Sequence, residues 1–579
     1  MSPTLHHWAA SLPVLLLAAC SGDSSAVETV WNAALEPDRI ELDRGSSQLG
    51  TVHRLSRWFG SEAEAGEAAG RFLSDSRPAI RVTTPSLWRV RLPADSRPRL
   101  LRSAVRLDGD PRAPNARMHA EVFLRDDSGL KSLGAIDVPS GVDPRDVPEW
   151  TEFQAEIPAG SATVLEFIAR RADPASAGRP GPGLAWAAPV VTAAPDPAGP
   201  RRPDVLLLTI DTMRADALAS APRLSGLFAR GSLWTRAVAP SNWTLPSYAS
   251  LFTALDADVH GAGRARYPTV DEPHARDFVG IGAALPTLAE AFRDAGYTTA
   301  MFHQNPFLEP WSGLERGFER YVRTRENAAL GVAAAREWWE DEAHRPRFLI
   351  LHLMGPHLPY SPPGDVDALG EPLPADPLAG MPWRDFLAGS PTAEQRRAFF
   401  DLPEDAREIL RRRYRAEIGA VDAAAAGWLE SLAGTGTILV LHSDHGEEHW
   451  DDGSFEHGHS FADAVVRVPL GVLGPARRQD FDAQDSVAVR DLGPSLLDWA
   501  GVPRPPGWTG SLWAPLVSPR SLQPLYPSEF GGRIFGTASD KSGWLPFDPQ
   551  RHAAQGAPAE LDPALQRALA ELGYVDAPR

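Results

Sequence analysis

Four runs beyond residue 200 are almost continuously apolar: VLLLTI (205–210), TTAMF (298–302), FLILHLM (348–354) and TILVLH (437–442). A strand without polar alternation must be buried on both faces. Between the runs lie stretches of helical spacing such as LPTLAEAFRDAG (285–296). Buried strands alternating with amphipathic helices predict an α/β fold whose mostly parallel sheet is covered by helices on both sides. In such sheets ligands bind beyond the carboxyl ends of the strands. The polar residues at those ends are therefore the first to inspect: Asp211, His303 with Asn305, His352 with His357, and Asp444 with His445.

The chain of 579 residues is too long for one core. From about residue 81 to 191 short alternating runs, LWRVRL, LLRSAVRL, MHAEVFL and ATVLEFIARR, are separated by Pro, Gly and Asp-rich turns. That pattern predicts an all-β, jelly-roll-like accessory domain over 41–192, which packs on its neighbour or binds a glycan. The Pro-rich stretch 193–203 reads as a linker, 204–517 as the α/β domain and 518–579 as a C-terminal subdomain or tail.

The single cysteine, Cys20, closes the apolar run LPVLLLAAC. Leu17-Ala18-Ala19-Cys20 resembles a lipobox, so 1–20 reads as a lipoprotein signal peptide with Cys20 as the lipidated residue, and 21–40 as a polar tether. The implied location is the cell envelope of a bacterium, on the periplasmic face of the outer membrane or at the cell surface, with the lipid anchor as the membrane contact. A formal net charge of −18 argues against nucleic acid as a partner, and an anionic substrate then needs a local cation.

Two carboxylates and an imidazole supply that cation site. Asp211 follows a buried strand directly, and Asp444 and His445 follow another, with Gly446 permitting the bend that lets neighbours converge. A mixed oxygen and nitrogen donor set favours one divalent Zn or Mn, with Ca as the alternative. In SNWTLPSYASLFTA (241–254), Thr244 stands at a helix entrance where backbone N–H groups attract anions. Read locally it is a cap; beside a cation it becomes a nucleophile.

The segments RRPDVLLLTIDTMRAD, TLPSYASLFTAL, GYTTAMFHQNPFL, LHLMGPHLPYSPP, SDHGEEHW and EHGHSFADAVVRVPL, in that order, resemble the sulfatase family of the alkaline phosphatase superfamily over about 203–517. The resemblance implies an α/β sandwich with a large mixed sheet. It implies Asp211, Thr244, Asp444 and His445 as metal ligands, with Thr244 also the nucleophile. It places His357 against the anionic oxygens or the leaving group, His457 beside the leaving oxygen, and His303, Asn305 and Tyr248 among the substrate contacts. His449 and His459 read instead as solvated loop histidines.

The sequence departs from the family pattern where sulfatases carry a Cys or Ser that becomes formylglycine. Thr244 occupies that position, Tyr248 replaces the following Arg, and Thr212 replaces the second Asp after the first strand. Relatives with Thr act on phosphate esters. The expected activity is thus metal-dependent hydrolysis or transfer of small-molecule, lipid or glycan phosphate mono- or diesters, or phosphonates, ahead of sulfate esters. The alternatives are a sulfatase without formylglycine and a non-catalytic anion-binding or glycan-binding lipoprotein. Gly355 and Asp452 stand where two-metal relatives have Asp and His, which argues against a second metal and leaves no protein partner implied.

Overall fold

The computed structural model describes residues 28–32, 40–44, 47–55, most of 72–512 and short stretches between 526 and 571. Cys20 and the expected signal segment 1–20 lie outside the described residues. Among the described residues no helix is long and apolar enough to cross a membrane.

The expected parallel sheet is present. Val205–Ile210 lies between Arg347–Leu353 and Ile438–His442, parallel to both, and Thr298–His303 and Arg320–Thr324 extend the parallel order. On the other side Arg467–Leu473 pairs antiparallel with Ile438–His442, and Ser232–Val238 pairs antiparallel with Arg467–Leu473, so one reversed strand makes the sheet mixed. Alternate residues of the central strand enter different cores. Val205 and Leu207 join Leu245, Phe252, Phe292 and Phe348 on one face, whereas Leu206, Leu208 and Ile210 join Leu351, Tyr414 and Val421 on the other. This two-sided burial is why VLLLTI carries no polar alternation.

The N-terminal region is all-β, and its strands alternate as the sequence predicts: Met118–Asp126 and Ser86–Leu92 bury every second residue. Trp88 stacks on Phe167 with centroids 3.8 Å apart, and Trp186 meets Phe167 edge-on. This sandwich does not stand apart from the α/β sheet. One long strand, Phe72–Thr84, pairs antiparallel with Arg320–Thr324 near its start and with Gly181–Ala193 near its end. A 14-stranded sheet therefore runs through both regions. Asp75 sits at the junction, accepting hydrogen bonds from Arg77 at 3.1 and 3.2 Å and from Arg320 at 3.1 Å, and Trp150 Nε1 donates to its backbone carbonyl. Ser74 donates to Glu309 at 3.2 Å, in the segment that follows Asn305.

Candidate active site

Four strand and helix ends converge at the carboxyl edge of the parallel strands. Asp211 is fully buried; its N–H donates to Leu353 O at 2.9 Å, and the chain turns at Thr212, whose φ of 53° is left-handed. The Tyr414 hydroxyl donates to the Thr212 carbonyl at 2.8 Å and pins that turn. Ser443 joins the neighbouring strand end, accepting from Met213 N at 2.9 Å and donating to His445 O at 2.6 Å. Gly446 is required by close approach, since a Cβ there would lie 2.1 Å from Ala464 O. Its role is therefore to admit a neighbouring backbone rather than to adopt a left-handed turn.

Thr244 is the first residue of the helix Thr244–Thr253, behind an extended Trp243 at the cap position. It is not the cap. Its Oγ1 lies 3.3 Å from His445 Nε2 and accepts a hydrogen bond from Asn305 Nδ2 at 3.1 Å. Asn305 Nδ2 also donates to Asp211 Oδ2 at 2.8 Å, while Asn305 Oδ1 accepts from Phe307 N. Asn305 was expected as a substrate contact; its amide spans a carboxylate and the candidate nucleophile.

The donor chemistry fits a cation. His445 Nδ1 pairs with the Gly446 carbonyl at 3.0 Å, which makes it the protonated nitrogen and leaves Nε2 with a lone pair. Nε2 lies 3.5 Å from Asp211 Oδ1 and 3.6 Å from Asp444 Oδ2. Those two buried carboxylate oxygens have no hydrogen-bond partner, and ligand atoms of Asp211, Asp444 and His445 all lie within 4.8 Å of one another. Burial and the negative charge of Asp211 push the Asp444 carboxyl up. Burial also opposes ionisation of Asp211, but a hydrogen bond from His352 and the charges of His352, His357 and His445 hold its carboxyl well below the usual range. Two like charges facing one point call for a positive group between them.

A second polar layer lies against the first. The His457 ring is 4.5 Å from His445 and 5.0 Å from His357, centroid to centroid. Its Nδ1 meets Glu447 Oε1 at 2.9 Å, and Glu447 Oε2 accepts from Tyr360 at 3.2 Å. Burial, then the Glu456 carboxylate, push Glu447 up to about 8. Burial holds His457 down to about 4. His357, with Nδ1 on Leu358 O at 2.6 Å, is also lowered by burial.

Two expected substrate contacts lie beneath the site. The Tyr248 hydroxyl donates to Thr209 Oγ1 at 2.7 Å and the ring packs against Phe252 and His352. His303 Nδ1 pairs with the Asn305 carbonyl at 3.0 Å and its ring rests on Tyr321. Both residues face the interior because their helix and strand are covered on that side. His449 and His459 need correction too. His449 is buried against Tyr414 and accepts from or donates to Tyr360 at 3.1 Å, and the His459 side chain is 5% exposed beside Glu448. Asp452 is exposed in the turn, and the space a Gly355 side chain would need holds Glu417 Oε2, 2.8 Å from an added Cβ. Sequence reasoning named His352 without a role; the structure puts its Nε2 3.2 Å from Asp211 Oδ2. Glu447 and Tyr360 were missed, although Glu447 stands two residues after His445 in DHGEEHW.

Residues 203–502, more than half of the chain, match the Sulfatase family model. The chain belongs to the sulfatase family. Among curated proteins it is similar to arylsulfatase K of Danio rerio, 32% identical over 91 residues, which is 16% of this chain and 17% of that protein. The chain thus spans about a sixth of the length of the curated relatives it matches. Among solved structures it is similar to phosphonate monoester hydrolase SpPMH from Silicibacter pomeroyi, with 22% identity, TM-score 0.42, and coverage of 55% of this chain and 76% of that one. It is also similar to BT1596, a 2-O GAG sulfatase, with 17% identity, TM-score 0.43, and coverage of 64% and 90%.

Proposed function

We propose that this sulfatase-family chain is a metal-dependent esterase or transferase in which Thr244 Oγ1 is the nucleophile, acting on phosphate mono- or diesters or phosphonates in preference to sulfate esters. One observation carries the reading: Thr244 Oγ1 lies 3.3 Å from His445 Nε2, at the point faced by the orphaned oxygens of Asp211 and Asp444. Asp211, Asp444 and His445 would hold a divalent cation, which when bound would supply the positive charge that favours ionisation of a hydroxyl and draws in an anionic ester. Asn305 fixes the Thr244 oxygen by donating to it, so the lone pairs available for attack are set by the protein.

Attack forms an Oγ1–phosphorus bond as the Thr244 hydroxyl proton passes to solvent, and breaks the bond to the leaving oxygen, which takes a proton from the His457 side of the site. Water or an acceptor alcohol then attacks phosphorus and returns a proton to the His457 side, and Thr244 leaves and regains its hydroxyl proton from solvent. This double displacement suits Thr, which lacks the second hydroxyl that lets formylglycine hydrate expel sulfate by elimination. The preference for phosphorus follows from that difference.

A panel of chromogenic phosphate mono- and diesters, phosphonates and sulfates, assayed on wild type and Thr244→Ala, tests the reading. Phosphoester turnover lost in the variant supports it; turnover of sulfate esters alone overturns the preference. We further propose that the enzyme is tethered at the cell envelope through Cys20, on the strength of the LAAC motif. Cys20→Ser is expected to release the protein from the membrane fraction, and unchanged retention would contradict the anchor.

A further inference from the structure

We propose that Glu447 is a positioning residue for the leaving-group step: it holds His457 so that the proton given to the departing oxygen leaves from Nε2. The inference rests on the proposed ester chemistry but goes beyond it, because Glu447 touches neither the candidate nucleophile nor the orphaned carboxylate oxygens. Its Oε1 meets His457 Nδ1 at 2.9 Å, and with Nδ1 committed there, any proton His457 passes to a substrate oxygen must leave from the opposite nitrogen.

Glu447 is itself held at its side chain and at its backbone. Tyr360 donates to Glu447 Oε2 at 3.2 Å, and Arg214 Nη1 donates to the Glu447 backbone carbonyl at 3.2 Å. Tyr360 stands three residues after His357, so Glu447 links the loop bearing one anion-facing histidine to the other histidine directly. The hydroxyl of Tyr360 also meets His449 Nε2 at 3.1 Å, which fixes the phenol in turn. Glu447, His457, Tyr360 and His449 are all buried, so no water layer loosens these contacts.

Glu456 is the competing partner. It lies 3.7 Å from His457 Nδ1, beyond hydrogen-bond distance, and its Oε2 is engaged by Arg396 at 2.5 Å. Glu456 therefore belongs to the ion pair with Arg396, and Glu447 is the group that sets the orientation of His457. A side chain that commits Nδ1 of an acid-base histidine leaves Nε2 as its exchanging nitrogen and contributes through that histidine, so its removal is felt in proportion to the need for proton transfer.

The test compares aryl phosphodiesters with good and poor leaving groups, 4-nitrophenyl against phenyl, in wild type, Glu447→Gln, His457→Ala and the double variant. Glu447→Gln is expected to lower kcat by about 10²-fold for the phenyl ester and by under about threefold for the 4-nitrophenyl ester, with KM little changed. His457→Ala should reproduce that dependence, and adding Glu447→Gln to it should cost little more. A uniform loss across leaving groups, or additive effects in the double variant, would overturn the proposal. Imidazole nitrogen NMR of His457 gives a second readout that needs no turnover: the Nδ1 signal must change in Glu447→Gln. An unchanged signal contradicts the positioning role, whereas a changed signal with no turnover of any ester by wild type refutes the proposed chemistry and leaves the contact standing.

Discussion

The sandwich and the carboxyl edge of the α/β sheet share one continuous sheet but treat buried carboxylates in opposite ways. In the sandwich, Glu166 takes Arg89 at 2.9 Å and Arg125 at 2.7 Å, and Asp75 is clasped by Arg77 and Arg320. Among the described residues, the buried carboxylate oxygens without a hydrogen-bond partner are Asp211 Oδ1, Asp444 Oδ2 and Glu315 Oε2, and none lies in the sandwich. Burial pushes Glu315 up to about 7, so protonation relieves it. Asp211 is held ionised, with Asp444 facing the same point. Matched charges are structural, and charges left unmatched at great desolvation cost mark where a ligand completes the set.

The largest effect expected from breaking this contrast comes at Thr244. Thr244→Ala should lower turnover on the order of 10⁴-fold or more while leaving the fold intact, measured by steady-state kinetics beside circular dichroism. On the matched side, Asp75→Ala leaves the buried Arg77 with only Glu152, at 2.7 Å. It should cost about 3–5 kcal/mol of stability by thermal or denaturant unfolding, with kcat per folded molecule unchanged.

Glu417 sharpens the comparison, because it is a largely buried acid at the α/β edge that burial, against the weaker pull of Arg413, keeps from ionising. Burial pushes its carboxyl from the ordinary 4.5 up to about 7, against a hydrogen bond from Ser361 N at 2.7 Å. The folded state therefore binds more protons than the unfolded one between those values. The stability it contributes is intact below about 4.5 and is lost as pH rises through about 7. Glu417→Gln should gain on wild type across that window and plateau above it, by about 3 kcal/mol, read from paired melts at pH 5 and pH 8. The smallest effect belongs to Asn305→Ala, which removes the amide bridging Asp211 and Thr244; activity or metal affinity should fall about 10- to 100-fold.

The same contrast explains what the sequence disclosed. Asp211, Asp444 and His445 were legible because they follow the ends of continuously apolar strands, whereas the helix entrance at Thr244 read locally as a cap and gained its role only beside those ligands and through the family resemblance. Asn305 and His352 were visible as positions, but their roles depend on which strand lies beside which. Tyr248 and His303 looked alike to these in sequence, yet their orientation within a covered helix and strand turns them inward. Glu447 and Tyr360 meet across 87 residues of chain, a pairing no periodicity encodes. The joining of the two sheets through Phe72–Thr84 was hidden for the same reason: its partner Arg320–Thr324 lies beyond the apparent linker.

The central claim is that Thr244 carries the transferred group. Acid quenching during turnover of a phosphodiester, followed by mass spectrometry of the peptide containing Thr244, tests it most directly. The account predicts a phosphoryl ester on Thr244 that disappears in Asp444→Asn. An unmodified Thr244 peptide, together with undiminished turnover in Thr244→Ala, would contradict it.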